Sequence, residues 1–351
     1  MQINQFNEVI SACRFCFMCR HLSAVGLVSC RESDTPRGRA LIADRIRMHP
    51  EELGNPDFVD TIYRSDLSGA NRFHCDGYHD GSGYDEVGLQ LALRRDIVEA
   101  GFAPESVKAI AAEFQSSENW SIEGSGEVLY FIDPCTAARP DTTAAVAKVL
   151  NRAGVPFATI RGGCIGKALA VLGFASEAET AMRKFAAAVN ATGIKTLLVS
   201  SPAAADALRN DFKTAGVELK PEVRFTAGYF VELAEKGKLR FSTRNFAASY
   251  LASDYLKNYL RCDCAEKLLA LLGIENRQFG TNPEESFTAG EGALVLARLH
   301  PELAKQLAAR IAAQAEPGIP LITASAYTAD LLAAAGADVS TLDEVAAEAL
   351  C

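Results

Sequence analysis

The chain has 351 residues, more than one ordinary hydrophobic core supports, so two or three domains are expected. Apolar residues make up 49% and charged residues 23%, a composition that excludes wholesale disorder. Lys and Arg number 35 against 44 Asp and Glu, and the net charge of −9 disfavours attraction of the whole molecule to nucleic acid or to an anionic membrane surface.

In chain order, Met1 to Glu8 is polar and has no apolar signal core. No apolar run approaches the roughly 20 residues of a membrane helix. The expectation is a cytoplasmic protein without direct membrane insertion. There the ten cysteines stay mostly reduced, which favours metal ligation over a disulfide framework. Residues 1–120 hold five of the cysteines and several short helical stretches. They also hold a Gly/Asp-rich loop from Asp76 to Glu86, read as a solvated turn because it lacks calcium-loop spacing. Leu89–Ala100 and Pro104–Gln115 read as helices, with Gly101 as the stop between them. Ser116–Gly126 is polar and reads as a linker.

An alternating pattern follows. Val128–Ile132, Val155–Ile160 and Thr196–Ser200 read as strands, and Thr142–Ala153 and Ala175–Ala191 as helices, which implies a mainly parallel sheet covered on both faces. The last third repeats the plan. "KVLNRAGVPF" from Lys148 is similar to "KLLALLGIEN" from Lys267, and "GIKTLLVSSPAAADAL" from Gly193 to "GIPLITASAYTADLL" from Gly318. The offset suits a duplicated domain rather than a solenoid, giving units at 121–240 and 241–351.

The most specific motif is Cys13-x2-Cys16-x2-Cys19. Three thiolates at this spacing can take three corners of one cubane, and soft sulfur ligands favour Fe–S, Zn or Cu(I). Zinc sites more often show two CxxC pairs, so a [4Fe–4S] cluster is expected. In the bacterial ferredoxin run C-x2-C-x2-C-x3-C-P, the fourth cysteine serves the other of two clusters. Here that position is Ser23. A second run at the same spacing reads Ser65-x2-Ser68-x2-Asn71-x3-Cys75. By the crossover rule, Cys13, Cys16, Cys19 and Cys75 bind one cluster, while Ser23, Ser65, Ser68 and Asn71 occupy the places of the other. One cluster is retained and one lost. Cys30 is the rival fourth ligand. Arg37 and Arg39, flanking Gly38, are candidate cations that raise the cluster's potential. His74 and His79 flank Cys75 and are candidates for tuning it.

"CRFCFMCRHL…ESDTPRGRAL" resembles the iron–sulfur subunits of glycolate oxidase, anaerobic glycerol-3-phosphate dehydrogenase and heterodisulfide-reductase-like proteins. The resemblance implies a helical ferredoxin-like domain at 1–120 followed by two cysteine-rich-domain-like α/β repeats. It also implies electron transfer from a flavin-containing dehydrogenase subunit towards a further acceptor. The repeats depart from the family pattern. Cys135 stands at the first leading position, but Cys164-Ile165-Gly166 replaces Cys-Cys-Gly and Ser201-Pro202-Ala203-Ala204 replaces Cys-Pro-x-Cys. In the second repeat, Thr288-Ala289-Gly290 and Ser325-Ala326-Tyr327-Thr328 stand at those places, with Asp254-Tyr255 near the leading one. Both repeats are therefore expected to be ligand-depleted.

Cys262-x-Cys264 falls in a stretch read as helical, where residues two apart share no face, so a joint site is disfavoured. No P-loop, G-x-S-x-G or convincing G-x-G-x-x-G is present. The resulting expectation is an electron-transfer subunit with one [4Fe–4S] cluster and no catalytic residues of its own. It would serve a 2-hydroxyacid (glycolate- or lactate-like) or glycerol-3-phosphate dehydrogenase and reach the membrane only through a partner. The rival readings are a scaffold or regulatory paralogue with a structural cluster, and a new site between the repeats around Cys135, Tyr250 and Asp254.

Overall fold

The structure, a computed structural model, describes residues 1–75, 84–116, 120–280 and 287–351. It is a mixed α/β protein with predominantly parallel sheets. Helices α1 (Asn7–Cys13), α2 (Ala24–Ser29), α3 (Pro36–Met48), α4 (Pro56–Tyr63), α5 (Glu86–Glu99) and α6 (Glu105–Ser116) make the N-terminal part. Ser23, Thr35, Asn55 and Asp85 cap α2, α3, α4 and α5 with side-chain oxygens on backbone N–H groups. A Cβ on Gly38 would stand 2.1 Å from the Glu32 carbonyl oxygen, so only glycine lets the start of α3 pack against that loop.

The first sheet contains β1 (Ser121–Gly124), β2 (Val128–Ile132), β3 (Phe157–Arg161), β4 (Thr196–Val199) and β5 (Glu222–Phe225), in the order β1-β3-β2-β4-β5. Only β1 runs antiparallel. Helices α7 (Pro134–Ala138) and α8 (Pro140–Arg152) follow β2, and α9 (Lys167–Leu172) and α10 (Ala175–Ala191) follow β3. After β4 come α11 (Pro202–Asp206), a π-helical turn at Ala207–Asp211 and α12 (Phe212–Thr214). After β5 comes α13 (Thr226–Glu235). The second sheet pairs β6 (Ala247–Leu251), β7 (Glu275–Asn276), β8 (Leu321–Thr323) and β9 (Val339–Thr341) in the order β7-β6-β8-β9, all parallel. A second π-helical turn, Tyr255–Tyr259, and α14 (Cys264–Leu271) follow β6. Helices α15 (Leu296–Leu299) and α16 (Pro301–Ala312) precede β8. Helices α17 (Ala326–Ala334) and α18 (Leu342–Glu348) follow β8 and β9.

The four parallel strands of the first sheet and the four of the second share one order. The halves also pack reciprocally. Helix α8 meets α18 while α14 meets α13, and α7 meets α17 while the Tyr255–Tyr259 turn meets α11. Each pair joins an element after a first strand to one after a third or fourth strand of the other half, the arrangement of a two-fold interface. Arg139 on Glu344 (2.7 Å) and Asp330 (3.0 Å), and Thr142 on Thr341 (3.0 Å), stitch this face. One apolar core runs through the helical part and both halves.

The stretch read as a linker is partly a strand. β1 pairs with the open edge of β3, from Ser121 opposite Arg161 to Gly124 opposite Ala158. All four β1 residues are exposed, so no apolar alternation marks them; the strand rests on backbone pairing. Trp120 anchors its start against Phe131 and Phe185.

Candidate functional site

The Cys13–Cys19 segment is wound by two successive turns. Helix α1 stops at Cys13. The Cys16 N–H then donates to the Cys13 carbonyl, and the Arg20 N–H to that of Phe17, both at 3.1 Å. Cys19 caps the short 3-10 helix Arg20–Leu22. Cys75 arrives from a distant stretch, at the end of the 3-10 helix Ala70–His74. Arg72, within that helix, ties it to Asp85 (3.0 Å) and to the Asn258 carbonyl (3.1 Å).

The four thiols lie within reach of one another's charge. Cys75 is among the strongest charges acting on Cys13 and on Cys19, and Cys16 acts on all three others. Burial is the largest influence and the Glu86 carboxylate the next. Together they push the Cys13 thiol far up, Cys19 to about 12 and Cys75 to about 11. A metal centre bound there would displace these protons, since thiols ligate as thiolates. Cys30 is placed differently. It ends α2 in a left-handed conformation, exposed, with its Sγ 3.8 Å from the Leu27 carbonyl. Among the described residues, no three Cys, His, Asp or Glu side chains stand close enough for a single metal ion. A cubane takes its thiolates at four separate corners, a wider spacing, and the all-cysteine donor set has the softness that such a cluster requires. Residues 76–83, including His79, lie outside the described residues, as does the His74 side chain.

The positions read as a lost second site also gather. Ser23, Ser68 and Asn71 line one cavity of about 10 Å³, room for about one water, together with Arg39, Asp66 and Glu86. An ion pair forms part of its wall. The Arg39 Nε donates to Glu86 at 2.9 Å and its Nη1 to the Asp34 carbonyl at 2.8 Å, and both charged side chains are almost wholly buried. Ser23 is engaged as the α2 cap and Ser68 bonds Asp66. The Ser65 hydroxyl and the Asn71 amide nitrogen are buried without partners among the described residues. Arg37, by contrast, pairs with Glu32 near the surface.

A larger cavity, about 370 Å³, opens at the C-terminal ends of β2, β3 and β4. It lies where neighbouring β2 and β4 send the chain to opposite sides, the switch point at which open α/β sheets bind ligands. Asp133, Cys135, Cys164 and Lys167 from the first half and Tyr327 and Asp330 from the second face it. Burial pushes the thiols of Cys135 and Cys164 up, so both are neutral. At the matching point of the second half there is a buried polar network, in which only the Asp254 Oδ1 lacks a partner among the described residues. Asp254 accepts from Thr288 (2.6 Å) and from the Gly292 N–H (3.0 Å). Glu291 accepts from Ser253 (3.0 Å) and from the Asp254 N–H (2.9 Å). The residues considered together as a site between the halves are thus separated. Cys135 lines the large cavity, Tyr250 lines another, and Asp254 is enclosed.

Sequence reasoning missed Glu86, whose partner Arg39 is 47 residues away, since no local pattern links them. It also misplaced Cys262-x-Cys264. Only Cys264 is helical, as the first residue of α14, and Cys262 lies in the preceding turn.

No family model and no curated protein matches the chain. Among solved structures, the crystal structure of a hypothetical protein from Helicobacter pylori is similar, with a TM-score of 0.61 over 89% of this chain and 68% of that one, at 11% identity. That likeness concerns the fold alone. Among the described residues no helix is long and apolar enough to cross a membrane.

Proposed function

We propose that this protein is a cytoplasmic electron-transfer subunit carrying one [4Fe–4S] cluster on Cys13, Cys16, Cys19 and Cys75. The observation that carries the reading is that Cys75, 56 residues beyond Cys19, comes within electrostatic range of Cys13 and Cys19, while Cys30 is not among the main charges acting on any of them. When bound, the cluster supplies a one-electron store. The chain's own residues set its surroundings. Glu86 opposes added negative charge and Arg39 favours it, so the pair balances the local field. Phe15, Phe17 and Met18 stand exposed between the ligating positions. Such an apolar rim suits docking of a partner close to the cluster. The partner proposed is a flavin-containing dehydrogenase of 2-hydroxyacid or glycerol-3-phosphate type, with electrons passing to a further acceptor. Any membrane association would be peripheral, through that partner. The matched strand orders and reciprocal packing support two related α/β repeats at 121–240 and 241–351, behind a ferredoxin-like helical unit at 1–120.

Anaerobic purification with iron and sulfide counting and EPR of the reduced protein tests this. About four irons per chain and a reduced-cluster signal are expected. Cys75→Ser should lose most of the iron and Cys30→Ser should keep it; the reverse pattern overturns the ligand set. The buried Arg39–Glu86 pair in the second position favours one other reading, a structural cluster in a scaffold subunit. A cluster that accepts no electron without unfolding would establish that alternative.

A further inference from the structure

The turn after β6 carries chemistry that electron transfer through the N-terminal cysteines does not use. The π-helical turn Tyr255–Tyr259 is closed by hydrogen bonds from the Leu260 N–H to Tyr255 (2.8 Å) and from the Cys262 N–H to Leu256 (2.9 Å). Between them Arg261 takes a φ of +50°, a left-handed conformation that non-glycine residues seldom adopt. Such π turns and strained residues concentrate at functional sites. Their effect here is to set Cys262 just outside α14, next to its first residue Cys264. Asp263 between them is folded back, with φ −95° and ψ +15°. A disulfide needs Cα atoms about 4.4–6.8 Å apart, a distance that residues two apart reach in a turn.

The two thiols are unequal. Cys262 is half-buried and Cys264 buried, and the polar groups of Cys264 and the positive charge of Arg209 favour a thiolate at Cys262. These hold Cys262 as thiolate, down to about 6. Cys264 is buried and its thiol is pushed far up. Cys262 also lines a cavity of about 370 Å³ beside Tyr250, Lys257, Asn276 and Gln278, whereas the buried Cys264 does not reach its wall. An accessible thiolate backed by a buried thiol is the arrangement of an attacking and a resolving cysteine.

We propose that Cys262 and Cys264 form a dithiol–disulfide couple that exchanges with a low-molecular-weight disulfide entering this cavity. The Cys262 thiolate attacks one sulfur of R–S–S–R. That bond breaks, a Cys262–S–S–R bond forms, and R–S⁻ leaves and takes a proton from water. Cys264 then gives its proton to solvent and attacks the Cys262 sulfur. The mixed disulfide breaks, the Cys262–Cys264 bond forms, and a second R–S⁻ leaves and is protonated. Two electrons pass from the dithiol to the external disulfide, and two R–SH restore the dithiol by the reverse steps.

The test uses the reduced full-length protein with oxidised glutathione as probe, acid quenching, alkylation and peptide mapping. The wild type should form an internal Cys262–Cys264 disulfide. Cys264→Ser should instead accumulate the Cys262–glutathione adduct, and Cys262→Ser should form neither. With iodoacetamide, Cys262 in the wild type should react at least several-fold faster at pH 6.5 than the exposed Cys351, with half its plateau rate near pH 6. Unchanged circular dichroism of the variants controls for folding. Reaction no faster than at Cys351, or a folded Cys264→Ser protein that traps no adduct, overturns the proposal. Neither result bears on the cluster, whose ligands are mapped on separate peptides.

Discussion

Arg39 and Glu86 are the clearest case of single side chains that organise the candidate site. Each is nearly sealed from water and each neutralises the other at 2.9 Å. A buried pair of this kind adds little over well-packed apolar residues, but breaking it strands a charge in low dielectric. Arg39→Met should therefore destabilise the cluster-free protein by about 3–5 kcal/mol in urea unfolding. The double change Arg39→Met with Glu86→Leu should recover most of that loss. Equal losses in the single and double variants would mean that the pair is not what stabilises this region. Asn71 and Ser65, each with a buried polar atom lacking a partner among the described residues, mark where the filling is imperfect.

Between elements, the dominant joint is Arg94 on α5. Its guanidinium is fully buried and donates to the carbonyls of Val171 (2.9 Å), Ile62 (3.1 Å) and Ser65 (3.0 Å). These sit at or just past the carboxyl ends of α9 and α4, where carbonyls lack helical partners and the dipole is negative. One cation thus caps two helices from different parts of the chain, and Tyr63 adds a bond to Leu172 at 3.0 Å. Burial still draws the Arg94 guanidinium down, to about 10. Arg94→Met should cost about 3–5 kcal/mol, since it orphans several carbonyls at once. A loss under 1 kcal/mol in the free energy of urea unfolding would show that water takes over the caps.

How much of this was readable beforehand follows from the physics of each element. Strand β2 and helix α10 were legible to the residue, because a continuous apolar run and a 3.6-residue apolar stripe are local signals. Gly101 and Gly154 adopt the positive φ expected of helix stops. β1 was not legible, since its exposed residues answer only to the free edge of β3. The Cys262 turn was not legible either, because a π-helical turn and a left-handed Arg261 have no composition signature. In the candidate centre, the motif spacing pointed to Cys75. The charges facing it come from α3 and α5 and needed the tertiary fold.

For the whole molecule, the face between the two halves couples stability to pH. Asp343, in the first turn of α18, is enclosed and its carboxyl is pushed up to about 7 by burial. The folded state therefore holds this proton more tightly than the unfolded chain does. The stability it confers is full below about pH 4 and is lost as pH rises through 7. Asp343→Asn keeps a neutral group of the same shape. The variant should match the wild type at pH 4 and exceed it by at most about 4 kcal/mol at pH 8. A constant difference across that range would place the titration elsewhere.

The joining of α8 to α18 also bears on how the protein is made. Thr142 bonds Glu344 across 202 residues of chain, so the apolar side of α8 has no cover when it first leaves the ribosome. At about 5–20 residues per second it waits roughly 10–40 s for its mate. During that interval this helix is the natural place for a nascent-chain chaperone to bind.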